Sequence, residues 1–233
     1  MVRSLRTCDN TTEIDGIALD APAFALTVSD ALTPDMMADR LRSISERADT
    51  CPHLRFVCVR DDAMDGRFLT SAASMASECG LGLIVRSDIP ENIGAAVSTL
   101  EGRRPLVTVP DLTPTDLIDI AGRMDLPIAI CDMDPKNIMT LCDMAEAEGC
   151  RDIVLGPPTV SMKQCLESTV MVGRLSGGTR PMMASAWSGE YALTIASVSV
   201  LRGGRLVVLD DLDAESCEVL DSLMEQHGGR YTF

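Results

Sequence analysis

Aromatic residues are scarce in this 233-residue chain, which has one tryptophan, two tyrosines and four phenylalanines. Its core must therefore be filled by aliphatic and thioether side chains, and fourteen methionines are available for that purpose. Histidine is limited to His53 and His227. No apolar run reaches the ~20 residues that a membrane span requires. The opening Met1-Val-Arg-Ser-Leu-Arg-Thr-Cys8 lacks the apolar stretch of a signal peptide, so a soluble, cytoplasmic protein is expected. Positive charge is also in short supply, with 20 basic residues against 35 acidic ones, a formal charge of -15 and a pI near 4.4. Such a surface repels a phosphate backbone or an anionic membrane, which argues against a nucleic-acid partner. The nine cysteines include no Cys-x-x-Cys pair and no close cluster, so no metal or iron-sulfur site is expected and most of them read as reduced core thiols. No Gly-x-Gly-x-x-Gly turn follows the first strand, and neither a Walker loop nor a Gly-x-Ser-x-Gly elbow is present.

What the chain does have is 46% hydrophobic residues in short branched runs, each followed by a segment with helical spacing. Eight such units can be counted. Their strands are predicted at Phe24–Val28, Leu54–Val59, Leu81–Val85, Pro105–Val109, Pro127–Cys131, Asp152–Leu155, Pro181–Ser185 and Arg205–Leu209. Thr33-Pro34-Asp35, Thr113-Pro114-Thr115-Asp116 and Asp134-Pro135 mark helix starts, while Gly80, Gly102, Gly149, Gly177-Gly178 and Gly203-Gly204 mark stops. Eight strand-helix units with short connections predict parallel strands and right-handed crossovers. The fold class is α/β, a compact single-domain (β/α)8 TIM barrel over residues 23–233 with an N-terminal extension at 1–22. A doubly wound open sheet is the alternative, but the near-uniform unit length leaves no switch point.

In a barrel of this kind the site lies at the carboxyl ends of the strands. Acids dominate there: Asp30, Asp61, Asp88, Asp111, Asp132, Asp134, Glu190 and Asp210, with Arg60 and Arg86 each next to an acid or close to one. Asp30, Asp111 and Asp134 lie near helix starts, where an aspartate caps a helix. If several of the carboxylates converge, like-charge repulsion raises some of their pKa values and furnishes a general acid, for which Asp61, Asp88, Asp111, Asp132 and Glu190 are the candidates. The two arginines either pair with their neighbours or hold an anionic ligand group. His53 and His227 fall at the opposite face, which excludes histidine-based acid/base chemistry and a Ser-His-Asp triad. Cys131, ending the fifth strand, reads as inward packing. Trp187-Ser188-Gly189-Glu190-Tyr191 follows the seventh strand; Trp187 there is either a plug over the rim or a stacking surface for a planar ligand.

Several strings resemble one family in order and spacing: Leu54 to Asp61, Gly149-Cys-Arg-Asp-Ile-Val-Leu-Gly-Pro157, Arg180-Pro-Met-Met-Ala-Ser-Ala-Trp187 and Gly229-Arg-Tyr-Thr232. From about Ala23 to Phe233 the chain resembles the central barrel domain of the corrinoid iron-sulfur protein large subunit, the gamma subunit of the acetyl-CoA decarbonylase/synthase of methanogens and acetogens. That barrel belongs to the superfamily of pterin-dependent and corrinoid-dependent methyltransferases. The chain has no cysteine-rich segment near its start and no sequence after Phe233, so the family's iron-sulfur and corrinoid-binding domains are expected to be missing. In the sixth unit Gly156-Pro157-Pro158 stands where an aspartate and a Pro-Gly turn are expected.

The resemblance implies corrinoid-dependent or pterin-dependent one-carbon (methyl) transfer. The cofactor would be a reduced pterin of the tetrahydromethanopterin or tetrahydrofolate type, or a corrinoid supplied by a partner. Asp61, Asp88, Asp111 and Asp132 would take the places of pterin-gripping acids. Arg60, Arg86, Asp134, Thr159, Trp187, Ser188 and Asp210 would line the binding site. The implied partner is a corrinoid-carrying protein or an acetyl-CoA synthase-type subunit, and a homo-oligomer remains open. Two other readings stay open: a non-catalytic docking or assembly subunit that retained only the barrel, and a lyase or aldolase assisted by a metal on the carboxylates.

Overall fold

The computed structural model describes residues 11–157, 162–186 and 191–227. It begins with a small antiparallel hairpin, β1 (Glu13–Ile14) and β2 (Ile17–Ala18). Asp15 and Gly16 form its turn with φ of 52° and 81°. Positive φ at both central positions is what a two-residue hairpin turn of the right twist demands, and an Asp-Gly pair supplies it with little strain.

Eight strand-helix units follow. They are β3 (Ala23–Ser29) and α1 (Pro34–Ala48), β4 (Leu54–Arg60) and α2 (Gly66–Ser77), β5 (Gly82–Arg86) and α3 (Pro90–Ser98), β6 (Leu106–Thr108) and α4 (Thr115–Met124). The second half continues with β7 (Ile128–Cys131) and α5 (Pro135–Ala147), β8 (Ile153–Gly156) and α6 (Met162–Leu175), β9 (Met183–Ala186) and α7 (Ala192–Leu201), β10 (Leu206–Leu209) and α8 (Ala214–His227). All paired neighbours among these strands run parallel, in the order β8-β7-β6-β5-β4-β3-β10-β9. A bridge between Leu155 and Met182, with the Leu155 N–H donating to the Pro181 carbonyl at 2.8 Å, joins the two ends. The chain is a (β/α)8 barrel. The helix starts follow local chemistry: Thr33 caps α1, Asp134 caps α5, and Pro34, Pro90 and Pro135 occupy first-turn positions where a missing N–H costs nothing.

Strand side chains alternate between two apolar layers. Phe24, Leu26, Val28, Val57, Val59, Leu83, Val85, Ile128 and Ile130 face the helices. Ala23, Ala25, Phe56, Cys58, Ile84, Leu106, Ala129, Cys131, Val154, Met183, Leu206 and Val208 fill the lumen. The hairpin completes that inner layer from below, because Ile14 and Leu19 are buried in it and Ile17 packs against it. Asp15 pins the hairpin in place: its carboxylate, 2% exposed, accepts from Arg103 Nε and Nη2 and from the amides of Leu83 at 2.9 Å and Arg104 at 3.2 Å. Among the described residues no helix is long and apolar enough to cross a membrane.

Candidate functional site

The alternation that sorts the core also sorts the polar residues at the carboxyl ends of the strands. Positions in phase with the lumen are Thr27 on β3, Arg60 on β4, Arg86 on β5, Thr108 on β6, Cys131 on β7 and Asp210 after β10. Positions in phase with the helix layer are Asp30, Asp61, Ser87 and Asp132. The polar lumen set forms a floor just above the apolar core. Arg86 lies buried in it, close to the Cys58 and Cys131 thiols. Burial holds its pKa below the ordinary guanidinium value. Thr108 Oγ1 lies 3.9 Å from Cys131 Sγ, and Thr27 Oγ1 donates to the Leu209 carbonyl at 2.9 Å. Arg60 is the register partner of Arg86 on the neighbouring strand. Its Nε donates to Asp62 at 2.8 Å and its Nη1 to Asp210 at 2.6 Å. Burial pulls the Arg60 pKa down, but the Asp62 bond and the Asp210 charge outweigh it and leave the group above its ordinary value.

The helix-phase acids are engaged with backbone and neighbouring loops. Asp61 Oδ2 accepts from Ser87 Oγ at 2.6 Å and from Asn92 Nδ2 on α3 at 2.8 Å. Asp132 Oδ1 accepts from the Asp134 amide at 2.7 Å, and Asp134 in turn accepts from the Lys136 amide at 2.9 Å, so capping accounts for Asp134. Asp30 does not cap its own helix, a task left to Thr33. It reaches across to the next unit, where Oδ1 accepts from the amides of Asp62 at 2.8 Å and Ala63 at 2.9 Å. Burial pushes the Asp30 carboxyl up; those amides oppose the shift, and the charge of Asp61 and a hydrogen bond to it add to it. Asp88 and Asp111 are exposed. The acids expected from the sequence therefore divide: Asp30 and Asp61 come together, Asp132 and Asp134 form a local turn, and Asp88 and Asp111 stand apart. Thr159, Trp187, Ser188 and Glu190 lie outside the described residues, and Tyr191 beside them is exposed.

The thiols behave as packing. Burial pushes Cys58 and Cys131 up to about 11, which leaves both protonated and unreactive at neutral pH. Gly156 ends β8 in a place that admits no side chain, because a Cβ there would lie 2.4 Å from Cys131 Sγ. At the other end of the barrel His53 Nδ1 lies 3.0 Å from Asp221 Oδ1, away from the candidate site. Among the described residues no group of three or more His, Cys, Asp or Glu is placed to hold a metal ion.

The model of the CO dehydrogenase/acetyl-CoA synthase delta subunit family matches residues 15–217. The chain belongs to that family. A curated relative, the corrinoid/iron-sulfur protein large subunit of Moorella thermoacetica, is 22% identical over 160 residues, 66% of this chain. The match takes in 36% of that protein's length, so the chain spans about a third of its relative. Among solved structures, the dihydropteroate synthase of Thermus thermophilus superposes with a TM-score of 0.73 at 15% identity, covering 93% of this chain and 98% of its own. The dihydropteroate synthase of Xanthomonas albilineans in complex with 7,8-dihydropteroate gives a TM-score of 0.69 at 14% identity, covering 91% and 98%. At these identities the likeness is one of fold. The lumen residues on the floor were in part legible beforehand: Arg60, Arg86 and Asp210 came from their place after apolar runs, whereas Thr27 and Thr108 were missed because each sits inside a run that reads simply as strand.

Proposed function

We propose that this chain serves one-carbon (methyl) transfer, with the carboxyl ends of its barrel strands binding a planar methyl carrier or docking a corrinoid protein. Membership of the delta subunit family over residues 15–217 carries the reading, and the name of the Moorella relative supplies the corrinoid. The floor of the mouth is suited to a flat ligand with a polar edge. Arg86 offers planar N–H donors, Asp210 offers carboxylate acceptors, and the hydroxyls of Thr27 and Thr108 offer acceptor lone pairs. A reduced pterin of the tetrahydrofolate or tetrahydromethanopterin type has an edge of that kind. In this proposal, on sequence position alone, Trp187 provides a stacking face and Glu190 an acid. A corrinoid, when presented by a partner, supplies the cobalt that takes up or releases the methyl group. The residues of this chain would hold and orient the carrier and keep water from the transferring carbon.

Titration with a methylated reduced pterin and with a methyl-loaded corrinoid protein, followed by calorimetry and absorbance, tests the proposal. The native chain is expected to bind at least one of them. Arg86→Gln should weaken pterin binding by about tenfold or more, as expected for loss of one charge-assisted contact. Binding of neither overturns the proposal. The engagement of the candidate acids Asp61, Asp132 and Asp134 by neighbouring side chains and backbone amides favours a second reading, a docking or assembly body without chemistry of its own. A complex with a partner subunit whose activity survives alanine replacement of Asp61, Asp88, Asp111 and Asp132 together would support docking, and loss of activity in a folded complex would support chemistry.

A further inference from the structure

Two of the most deeply buried carboxyls in the protein meet at the ends of β3 and β4. Asp30 is 3% exposed and Asp61 5%. One oxygen of each is well satisfied: Asp30 Oδ1 by the amides of Asp62 and Ala63, and Asp61 Oδ2 by Ser87 and Asn92. The other oxygen of each, Asp30 Oδ2 and Asp61 Oδ1, is buried with no protein donor, and the two residues are neighbours, since the amide directly after Asp61, that of Asp62, donates to Asp30 at 2.8 Å. Two ionised carboxylates in this position would leave two buried acceptors unsatisfied and set like charges near each other, both of which are costly. A single proton on one of them turns that acceptor into a donor and satisfies both oxygens at once.

We propose that Asp30 and Asp61 hold one shared proton in the folded protein and act as a single unit that latches the β4–α2 loop to the β5–α3 turn. Asp30 is the positioning residue of the pair. It grips the amides at 62 and 63 with one oxygen and orients Asp61 with the other. The latch does not depend on the methyl-transfer reading, since it follows from the packing of these loops alone.

The charged groups around the pair are already engaged elsewhere. Arg60 on β4 is held by Asp62 and Asp210. Arg40 on α1 donates to the Asp210 carbonyl at 3.1 Å and pairs with Asp211 at 2.9 Å. Arg86 and Asp88 complete the set from the end of β5, with Arg86 turned toward the lumen thiols. Among the described residues no salt bridge reaches Asp30 or Asp61, so no cation replaces the proton. The direction of the Asp30 shift agrees, since burial first and then Asp61 raise it above 3.8. A carboxyl raised on folding stabilises the native state at pH below its unfolded value, and that contribution is lost as pH rises through the folded value. The latch is therefore tightest on the acid side and loosens toward neutral and alkaline pH.

The test is a pH titration of the intact chain carrying carbon-13 in its aspartate carboxyls, followed by NMR. The expected result is a transition of the Asp30 carboxyl carbon displaced upward from the ordinary aspartate range, sensed at the same pH by the Asp61 carboxyl carbon. Asp30→Asn supplies the decisive variant, because its amide oxygen can still accept from residues 62 and 63 while its Nδ2 gives Asp61 a permanent donor. It should remove the shared transition, keep the amides of Asp62 and Ala63 protected from hydrogen exchange, and flatten the fall of urea stability above the ordinary aspartate range. Asp30→Ala should lose the protection at 62 and 63. An Asp30 transition in the ordinary aspartate range, or one that the Asp61 carbon does not sense, would overturn the proposal, as would an Asp30→Asn variant with the native pH dependence.

Discussion

Gly156→Ala is the sharpest available probe of how the barrel mouth is packed. The added Cβ would stand 2.4 Å from Cys131 Sγ, while the next nearest atoms, the Ile130 carbonyl oxygen at 3.4 Å and Cys131 Cβ at 3.6 Å, are at tolerable distances. The collision is therefore with one sulfur. That sulfur is buried in the lumen beside Thr108, so moving it forces repacking, which costs about 1–3 kcal/mol. For a chain of this size such a loss lowers Tm by roughly 2–4 °C per kcal/mol. Cys131→Ala removes the obstruction at a cost of about 1 kcal/mol for the lost contacts. In that background Gly156→Ala meets only ordinary contacts and should cost close to nothing, so the two substitutions should show a coupling of about 1–2 kcal/mol. Urea unfolding of the four chains, read as midpoints at constant m, measures it. An equal cost of Gly156→Ala in both backgrounds would refute the packing argument and move the constraint on Gly156 to the backbone.

Asp15→Ala should destabilise the chain by about 3–5 kcal/mol, because it leaves the Arg103 guanidinium and two amides without their buried acceptor; urea midpoints give the magnitude, and proteolysis should open first around residues 11–22. Asn92→Ala removes one of the two donors to Asp61 Oδ2 and should cost about 0.5–1.5 kcal/mol, with faster amide exchange at the start of α3. The lumen thiols set an alkaline limit. Cys58 and Cys131 rise from 9.0 to about 11 on folding, so the native state holds those protons more tightly. Stability should fall as pH climbs from 9 to 11, by about 2–3 kcal/mol for each thiol. A Cys58→Ala, Cys131→Ala double variant that shows the same alkaline loss would exclude them as the cause.

The barrel was legible because its parallel strands are buried on both faces and so read as continuous branched runs, while glycines at positive φ such as Gly80 and Gly149 end the helices between them. Pro105–Val109 narrows to Leu106–Thr108 in the structure and Pro181–Ser185 shifts to Met183–Ala186, the kind of slip expected where strand ends merge into loops. The hairpin at 13–18 escaped notice within the extension, since two-residue strands have no periodicity. Its signal was the Asp15-Gly16 turn between isoleucines. At the mouth, position after a strand identified the polar residues but not the side each one takes. Period-two counting from the apolar runs would have separated Arg60, Arg86 and Asp210, in phase with the lumen, from Asp30, Asp61 and Asp132, in phase with the helices. The contact of Asp30 with Asp61 depends on two loops about 30 residues apart and leaves no mark in local sequence.

The hairpin under the barrel also bears on the order of assembly. Its residues leave the ribosome before any barrel strand, yet its anchors, Arg103, Arg104 and Asp152, come roughly 90 to 140 positions later. A segment made ahead of the whole barrel is thus among the last to find its seat. Until the eighth barrel strand, with Leu206 and Val208, has been synthesised, Ile14, Ile17 and Leu19 have no complete lumen to enter, and the growing chain carries an unseated apolar turn. Seating that turn closes contacts of long sequence separation, which are slow to form, and makes the arrival of the hairpin a natural late step in folding.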